Sequence, residues 1–261
     1  MSQFSFRVEH NQGGARVGEV HTPHGPLATP AFMPVGTQAA VKALSPEEVT
    51  AVGVEMLLCN AYHLYLRPGV ETVHRLGGVH RFMGWSGPVL TDSGGFQVFS
   101  MGALRRVDDD GVLFRSHLDG REHFFSPELA TANQARLGAD IIMCLDQCIA
   151  YGAGKEEVRQ AMERTHRWAE SCYRRHSASE TSGSQALFGI VQGGVFEDLR
   201  KESARHITSI PFQGYAIGGL AVGESKAQMY ETPRQVTALL PKDRPRYLMG
   251  VGSPEDLVEC A

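Results

Sequence analysis

Short apolar segments alternate with longer amphipathic segments along most of this chain. The apolar segments contain few charged residues, and glycine or polar residues follow each of them. Strands that are apolar throughout are typical of a parallel sheet whose two faces are both covered. We therefore predict strands over residues 30–35, 54–60, 87–91, 139–146, 186–192, 214–219 and 244–250.

Helix signals fill the intervals between these strands. Three Ser-Pro-Glu sequences, which begin at Ser45, Ser126 and Ser253, each combine an N-capping serine with a proline in the first turn. Gly138 is placed to end the helix that follows Ser126. The remaining helices are predicted over 155–176, from 197 onward and over 227–240.

A strand followed by a helix, repeated seven times in about 260 residues, fits a (β/α)8 barrel of the TIM type better than a doubly wound α/β sheet. We expect a single incomplete (β/α)8 barrel domain over residues 1–261 with seven of eight units present. A barrel without one strand has two open edges, so we expect this sequence to be the front part of a longer protein. The alternative is a complete, open seven-stranded sheet.

Two regions interrupt the alternation of strands and helices. Residues 1–28 contain short alternating segments with many turn residues, which predicts a small N-terminal antiparallel decoration. Residues 111–125 alternate around Asp119-Gly120, a signal for a tight turn. This second region predicts a two-stranded β-hairpin inserted after the third strand.

Composition limits the class of protein further. A hydrophobic content of 42% with 21% charged residues is ordinary for a soluble globular protein. No apolar run is long enough for a membrane helix, and the N-terminus lacks a signal-peptide pattern. Five scattered cysteines, an odd number, favour reduced thiols and a cytoplasmic location. The net charge of −4 gives no support to nucleic-acid binding by itself.

Polar residues and glycines follow several predicted strands, and in a barrel these strand ends meet around one pocket. The sequences concerned are Asp92-Ser93-Gly94-Gly95, Asp146-Gln147-Cys148, Gln192-Gly193-Gly194 and Gly218-Gly219-Leu220, with Asn60 at the end of the second strand. A carboxylate can accept two parallel hydrogen bonds from the N–H/NH₂ edge of guanine. Gln192 and a backbone N–H near Gly219 can serve the acceptor side of such a base. Phe96 and Met249 are candidates to enclose its ring.

Structural interpretations of the same residues remain open at this point. Asp92 can cap a helix beside a glycine turn, Gln192 can cap another helix, and Met249 can fill the core. Two acids at a barrel mouth can also form the catalytic pair of a glycosidase. Cys144 and Cys148 do not have zinc-finger spacing, and we expect Cys144 to pack in the core.

The motifs taken together resemble the bacterial tRNA-guanine transglycosylases, in order and over essentially the whole chain. The motifs that carry the resemblance are Thr91-Asp92-Ser93-Gly94-Gly95-Phe96-Gln97, Asp146-Gln147-Cys148, Phe188-Gly189-Ile190-Val191-Gln192-Gly193, Gly214-Tyr215-Ala216-Ile217-Gly218-Gly219-Leu220-Ala221-Val222-Gly223-Glu224 and Tyr247-Leu248-Met249-Gly250-Val251-Gly252. Asn60-Ala61-Tyr62-His63-Leu64 and Ser116-His117-Leu118-Asp119-Gly120 fit the same family.

The resemblance implies a reaction in queuosine biosynthesis. The family exchanges the wobble guanine of certain tRNAs for a 7-deazaguanine by double displacement, through a covalent ribosyl-aspartate intermediate. It implies that Asp92 is the general acid/base, and that Asp146 binds the N–H/NH₂ edge of the base. The other residues implied in base binding are Asn60, Ser93, Gly94, Gly95, Phe96, Gln192, Gly219, Leu220 and Met249. The residues implied in RNA binding are Gly250, Val251, Gly252, Ser253, Pro254, Glu255 and Asp256.

Departures from the family pattern matter as much as the matches. The Asp-Met-Phe-Asp motif of the family's nucleophile has no counterpart in this sequence, and neither has its C-terminal zinc site of three Cys and one His. The full-length family implies zinc, no organic cofactor, tRNA as partner and a homodimer, while we expect this chain alone to be inactive. The alternatives are a non-catalytic base- or tRNA-binding partner subunit and a barrel hydrolase that acts on nucleosides or glycosides.

Overall fold

The structure is a computed structural model, and it describes residues 4–100 and 105–261. The strands are β1 (Ser5–Gln12), β2 (Ala15–Thr22), β3 (Gly25–Thr29), β4 (Val35–Gly36), β5 (Leu57–Cys59), β6 (Val89–Thr91), β7 (Arg105–Val107), β8 (Val112–Arg115), β9 (Glu122–Phe125), β10 (Ile141–Met143), β11 (Ala186–Val191), β12 (Gly214–Ile217) and β13 (Arg246–Leu248). The α-helices are α1 (Pro46–Ala51), α2 (Ala61–Leu66), α3 (Val70–Arg75), α4 (Gly78–Met83), α5 (Gly95–Ser100), α6 (Pro127–Leu137), α7 (Lys155–Ser177), α8 (Glu197–Ser209), α9 (Lys226–Thr237) and α10 (Pro254–Cys260). A 3-10 helix spans Glu180–Gly183.

The main sheet confirms the prediction of seven parallel strands. Its order is β13-β12-β11-β10-β6-β5-β4, so strands that follow one another in the chain are also neighbours in the sheet. Each of the six pairings is parallel. A doubly wound sheet reverses its strand order at a switch point, whereas a TIM-type barrel does not. The order is therefore consistent with a TIM-type fold, with β4 and β13 as the edges of the sheet.

The apolar character of the strands follows from burial on both faces of this sheet. Successive residues of β5 belong to different cores: Leu57 packs with the outer cluster beneath the helices, and Leu58 packs with the inner cluster. Val89 and Leu90 of β6 divide in the same way. The two-residue side-chain period of a strand explains this division, and apolar residues are therefore favoured on both faces of the strand.

The N-terminal residues form an antiparallel sheet of three strands in the order β1-β2-β3. Val20 and Leu27 from this sheet pack in the inner cluster of the barrel. The sheet thus contributes apolar side chains to the interior of the barrel.

The insertion after the third barrel strand differs from the predicted two-stranded hairpin. It is a sheet of three antiparallel strands in the order β7-β8-β9, because Arg105–Val107 pairs with β8. The connection between β8 and β9 is also longer than a tight two-residue turn. The amide of Ser116 donates to the carbonyl of Arg121, and the Asp119 carboxylate accepts from the Arg121 amide.

Two other local predictions need correction. The first barrel strand is confined to Val35–Gly36 instead of covering residues 30–35. Pro30 and Pro34 explain the shortening, because proline has no N–H to donate to a neighbouring strand. The short helices α2, α3 and α4 were not predicted, since none is long enough to show helical periodicity.

The predicted long helix agrees closely with the structure. The predicted helix over 155–176 is observed as α7, and Val158, Met162, Thr165, Ala169 and Cys172 are all buried. Cys144 is buried as expected. Among the helices that the structure describes, none combines the length and apolar character needed to cross a bilayer.

Candidate functional site

The site is built around Asp92, which follows β6 directly. Its carboxylate accepts hydrogen bonds from Asn60 Nδ2 at 2.5 Å, from the amide of Ala61 at 2.8 Å and from Gln97 Nε2 at 3.0 Å. These bonds favour the ionised form, but desolvation outweighs them and raises the pKa of Asp92 above its ordinary value. Asp92 is thus a carboxyl group held by three donors and disposed to keep a proton.

Asp146 lies at the carboxyl end of the neighbouring strand β10 and is 6% exposed. Its carboxylate accepts a hydrogen bond of 2.6 Å from Gln192 Nε2. Burial raises the pKa of Asp146 to about 6, and the negative charge of Asp92 adds to this effect. The predicted meeting of Asp92, Asp146, Gln192 and Asn60 is therefore present, with two acids close enough to influence each other.

The glycine pair after Asp92 has a role that the sequence did not indicate. A side chain at Gly95 would lie 2.8 Å from the backbone oxygen of Asp146. Gly94 has a positive φ of 80° and approaches Tyr62 closely. Both glycines therefore allow the Asp92 loop to pack against its neighbours, while Ser93 is buried and accepts a hydrogen bond from the Gly95 amide.

The loop after β12 forms another side of the site. Gly219 has a φ of +66°, and a side chain there would lie 2.3 Å from Gln192 Oε1, so only glycine fits. Leu220 is buried. The Glu224 carboxylate accepts from the amides of Ala221 and Val222 at 2.5 and 3.0 Å and so holds the end of the loop.

The two residues predicted to enclose a ring lie in different environments. Phe96 is 56% exposed in the first turn of α5. Met249 is partly buried and packs against the inner cluster of the barrel. The structure therefore leaves Phe96 accessible to a ligand, whereas Met249 also contributes to the core, as the structural interpretation of that residue expected.

The segment predicted to bind RNA lies at the carboxyl end of the edge strand β13. Gly250 has a φ of +79°, and Ser253 caps α10 by accepting from the amide of Asp256. The Asp256 carboxylate interacts with Lys226, Tyr230 and Ser253 and is shielded from solvent. This side chain therefore ties α10 to α9. The exposed residues of the segment are Gly250 and residues 252–255.

One group in the described ranges has a spacing suited to metal ligation: His24, His80 and Asp140. Asp140 precedes β10, so this group lies at the opposite end of the strand from Asp146. The two imidazole rings are stacked 3.5 Å apart and nearly parallel, at 13°. Their nitrogen lone pairs lie in separate parallel planes, which does not suit binding of one metal ion by both rings. These three residues also differ from the family's zinc ligands, which are three Cys and one His.

Sequence reasoning gave no role to Gln97, Glu224 or Arg200. Gln97 and Glu224 are present in the quoted motifs, so their position beside Asp92 and Gly219 was a usable signal. Arg200 lies in the first turn of α8, outside every motif, and the sequence contains no pattern that singles it out.

Comparison with known proteins gives a consistent result. The family model described as queuine tRNA-ribosyltransferase matches residues 11–261. A queuine tRNA-ribosyltransferase of Pelotomaculum thermopropionicum is 56% identical over 98% of this chain and 68% of its own length. Those of Herpetosiphon aurantiacus and Desulforudis audaxviator are 55% and 57% identical, over 99% and 98% of this chain and 65% and 68% of their own lengths. This chain thus spans about two thirds of the length of these relatives.

Proposed function

Because this chain belongs to the queuine tRNA-ribosyltransferase family, whose members are pentosyl-transferring enzymes, we propose that it carries the base-recognition site of a tRNA-guanine transglycosylase. The observation that supports this most strongly is the pair of desolvated carboxylates, Asp92 and Asp146. Asp92 accepts a hydrogen bond from Asn60, and Asp146 accepts one from Gln192. The reaction replaces the wobble guanine of a tRNA by guanine or a 7-deazaguanine.

Asp146 recognises the base through its donor edge. An ionised carboxylate accepts both the ring N–H and the exocyclic NH₂ of guanine, which fixes the orientation of the base. Gln192 and the amide of Gly219 serve the acceptor side, with Leu220 beside them and Ser93, Gly94 and Gly95 shaping the wall. The exposed ring of Phe96 stacks on one face of the base and Met249 contacts the other.

Asp92 manages the proton that accompanies the exchange. An aspartate carboxylate attacks the anomeric carbon of the ribose, the bond from that carbon to the base nitrogen breaks, and Asp92 gives a proton to this nitrogen. In the second half Asp92 removes a proton from the incoming base, whose nitrogen displaces the aspartate. The raised pKa of Asp92, caused by burial, suits a group that must hold a proton before it releases it to the base.

The remaining parts of the proposal rest on the family relationship. The tRNA backbone contacts residues 250–256, which include the first residues of α10. The attacking aspartate, the structural zinc and the homodimer belong to the full-length protein in a cytoplasmic setting. Residues 1–261 form one domain with seven strand units of a (β/α)8 barrel, and this chain tested by itself does not exchange bases.

Base binding tests the proposal directly on this chain. In equilibrium dialysis with radiolabelled guanine, the chain binds guanine and Asp146→Ala does not, because the donor edge of the base has no acceptor. Asp243→Ala is the control, since the Asp243 side chain is 76% exposed and precedes the amino end of β13, away from the strand ends that carry the proposed site. Failure of the unaltered chain to bind guanine, or unchanged binding by Asp146→Ala, would refute the proposed site.

Exchange needs a longer protein. A chain extended to the length of its relatives should incorporate radiolabelled guanine into tRNA, while the same protein with Asp92→Asn should not. A hydrolase would instead release base from tRNA without incorporating any, and a non-catalytic partner subunit would do neither.

A further inference from the structure

A buried arginine lies directly behind the proposed base-binding loops. Arg200 is 1% exposed, and its guanidinium makes no ion pair with any described acidic residue. It donates instead to backbone carbonyl oxygens: Nε to Gly194 at 2.6 Å, and one terminal nitrogen to Val191 at 2.9 Å and Gly218 at 2.7 Å. The other terminal nitrogen donates to Gly219 at 3.2 Å.

These four oxygens belong to two loops that leave neighbouring strands. Val191 is the last residue of β11 and Gly194 lies three positions beyond it, with Gln192 between them, while Gly218 and Gly219 follow β12. Burial of a guanidinium without an acid partner is costly, although hydrogen bonds to several carbonyls offset part of the cost. Burial lowers the pKa of Arg200 to about 10, so the group remains charged at neutral pH.

The contact between Arg200 and the Gly218 carbonyl also determines the orientation of the Gly219 N–H. In a trans peptide the carbonyl and the N–H point in opposite directions. Since the Gly218 carbonyl points to Arg200, the N–H of Gly219 points away from it. This N–H has no hydrogen-bond partner within residues 4–100 and 105–261. Gln192 lies beside the same residue, since its Oε1 is 2.3 Å from where a Cβ of Gly219 would be.

We propose that Arg200 is a positioning residue for base recognition: its planar fork joins the β11 and β12 loops and thereby aims the Gly219 N–H and the Gln192 side chain at the acceptor side of the base. This inference rests on the proposed function, because it assumes that a guanine-like base occupies the site. Lysine cannot replace the fork, since an ammonium is a point charge without the planar arrangement of five donors.

The test compares three bases with Arg200→Lys. Guanine offers both edges, 6-thioguanine has a weaker acceptor in place of the carbonyl oxygen, and hypoxanthine lacks the amino group that Asp146 binds. Dissociation constants come from equilibrium dialysis. We expect Arg200→Lys to weaken guanine binding at least tenfold and to bring the preference for guanine over 6-thioguanine close to one. The preference for guanine over hypoxanthine should stay as in the unaltered chain.

These ratios separate positioning from simple loss of structure. A variant that is partly unfolded binds all three bases less well by one common factor, so its ratios do not change. A common factor, or no change at all, would overturn the inference. The matched control is Arg246→Lys, because Arg246 also donates to backbone carbonyls, those of Leu240 and Pro241, at the amino end of β13. It should leave all three constants unchanged.

A second variant keeps the inference testable if Arg200→Lys does not fold. If circular dichroism shows that Arg200→Lys is unfolded, the same constants are measured for Arg200→Gln, which keeps an N–H donor without the charge. Failure of both variants to fold would assign Arg200 to the core and overturn the positioning role. Failure of the unaltered chain to bind guanine would refute the proposed function itself, which is a different outcome from unchanged ratios.

Discussion

At the scale of single residues, the protonation of two neighbouring acids controls what the site can bind. Asp92 and Asp146 are both desolvated, and each ionised carboxylate makes ionisation of the other less favourable. Three donors hold Asp92, whereas Gln192 is the side chain bonded to Asp146 at 2.6 Å. Burial and the negative charge of Asp92 raise the pKa of Asp146 to about 6, so the charge of Asp146 changes with pH around that value.

Guanine binding should consequently depend on pH. The pKa of Asp146 is about 6, so below this value the group is protonated and loses an acceptor for the base. We expect the guanine dissociation constant to be flat above pH 7 and to increase about tenfold for each unit below pH 6. Equilibrium dialysis between pH 5 and pH 8 measures the profile.

The charge of Asp92 provides the control for that profile. Asp92→Asn removes a negative neighbour, which lowers the pKa of Asp146, so the weakening of binding should begin at a lower pH. A profile that did not move in Asp92→Asn, or a flat profile in the unaltered chain, would contradict the electrostatic coupling.

Residues at strand ends could be predicted from the sequence, and Arg200 could not. Asp92, Asp146, Gln192 and Asn60 each follow an apolar strand, and parallel strand ends converge whatever the loops do. The position of Arg200 depends on how α8 packs across two strands. This contact spans up to nineteen positions in the sequence and has no local pattern.

At the scale of elements, one buried carboxylate forms hydrogen bonds with both the N-terminal sheet and the main sheet. Asp140 accepts from His24 Nδ1 at 2.8 Å in the β2–β3 turn, from His80 Nε2 at 2.9 Å in α4 and from the Val89 amide at 2.8 Å in β6. These bonds lower the pKa of Asp140, although burial opposes them. One buried group thus joins three elements at the end of the barrel away from the proposed site.

Asp140→Asn should therefore destabilise the whole fold. We expect a loss of about 2–4 kcal/mol in the free energy of unfolding at pH 7, measured by urea denaturation, because bonds to a buried charge are lost. A lowered pKa stabilises the fold above the ordinary aspartate value, so the difference should shrink as the pH falls below about 4. The exposed pair of Lys155 with Asp198 is the control, and Asp198→Asn should lower the free energy of unfolding far less than Asp140→Asn does, because solvent screens this pair. An equal cost for both variants would contradict the assignment.

Elements were predicted where their pattern is long and were missed where it is short. The helix α7 extends over 23 residues and shows its apolar face plainly. The helices α2, α3 and α4 have six residues each, fewer than two turns, so periodicity cannot reveal them. The strand β7 has only three residues and owes its conformation to pairing with β8, which is tertiary information.

At the scale of the whole molecule, the sequential strand order makes the two ends of the sheet unlike its centre. β10 and β11 are paired on both sides, whereas β4 and β13 each pair on one side within the described residues. A largely apolar cleft of about 450 Å³ is lined from both edges, by Val35 of β4 and by Tyr247 and Leu248 of β13. The proposed base-binding acids follow central strands, and the proposed RNA-binding segment follows an edge strand.

This arrangement predicts a gradient of local stability, which hydrogen exchange measures directly. Amides of β10 and β11 should exchange most slowly, because their release requires separation from two neighbours, and amides of β4 and β13 should exchange fastest. Mass spectrometry at two protein concentrations distinguishes this gradient from protection by self-association at the edges. If the amides of β13 exchanged as slowly as those of β10 at both protein concentrations, the predicted gradient of local stability would be contradicted. A gradient would mean that Asp146 is held rigidly for base recognition while residues 250–256 can adjust to RNA.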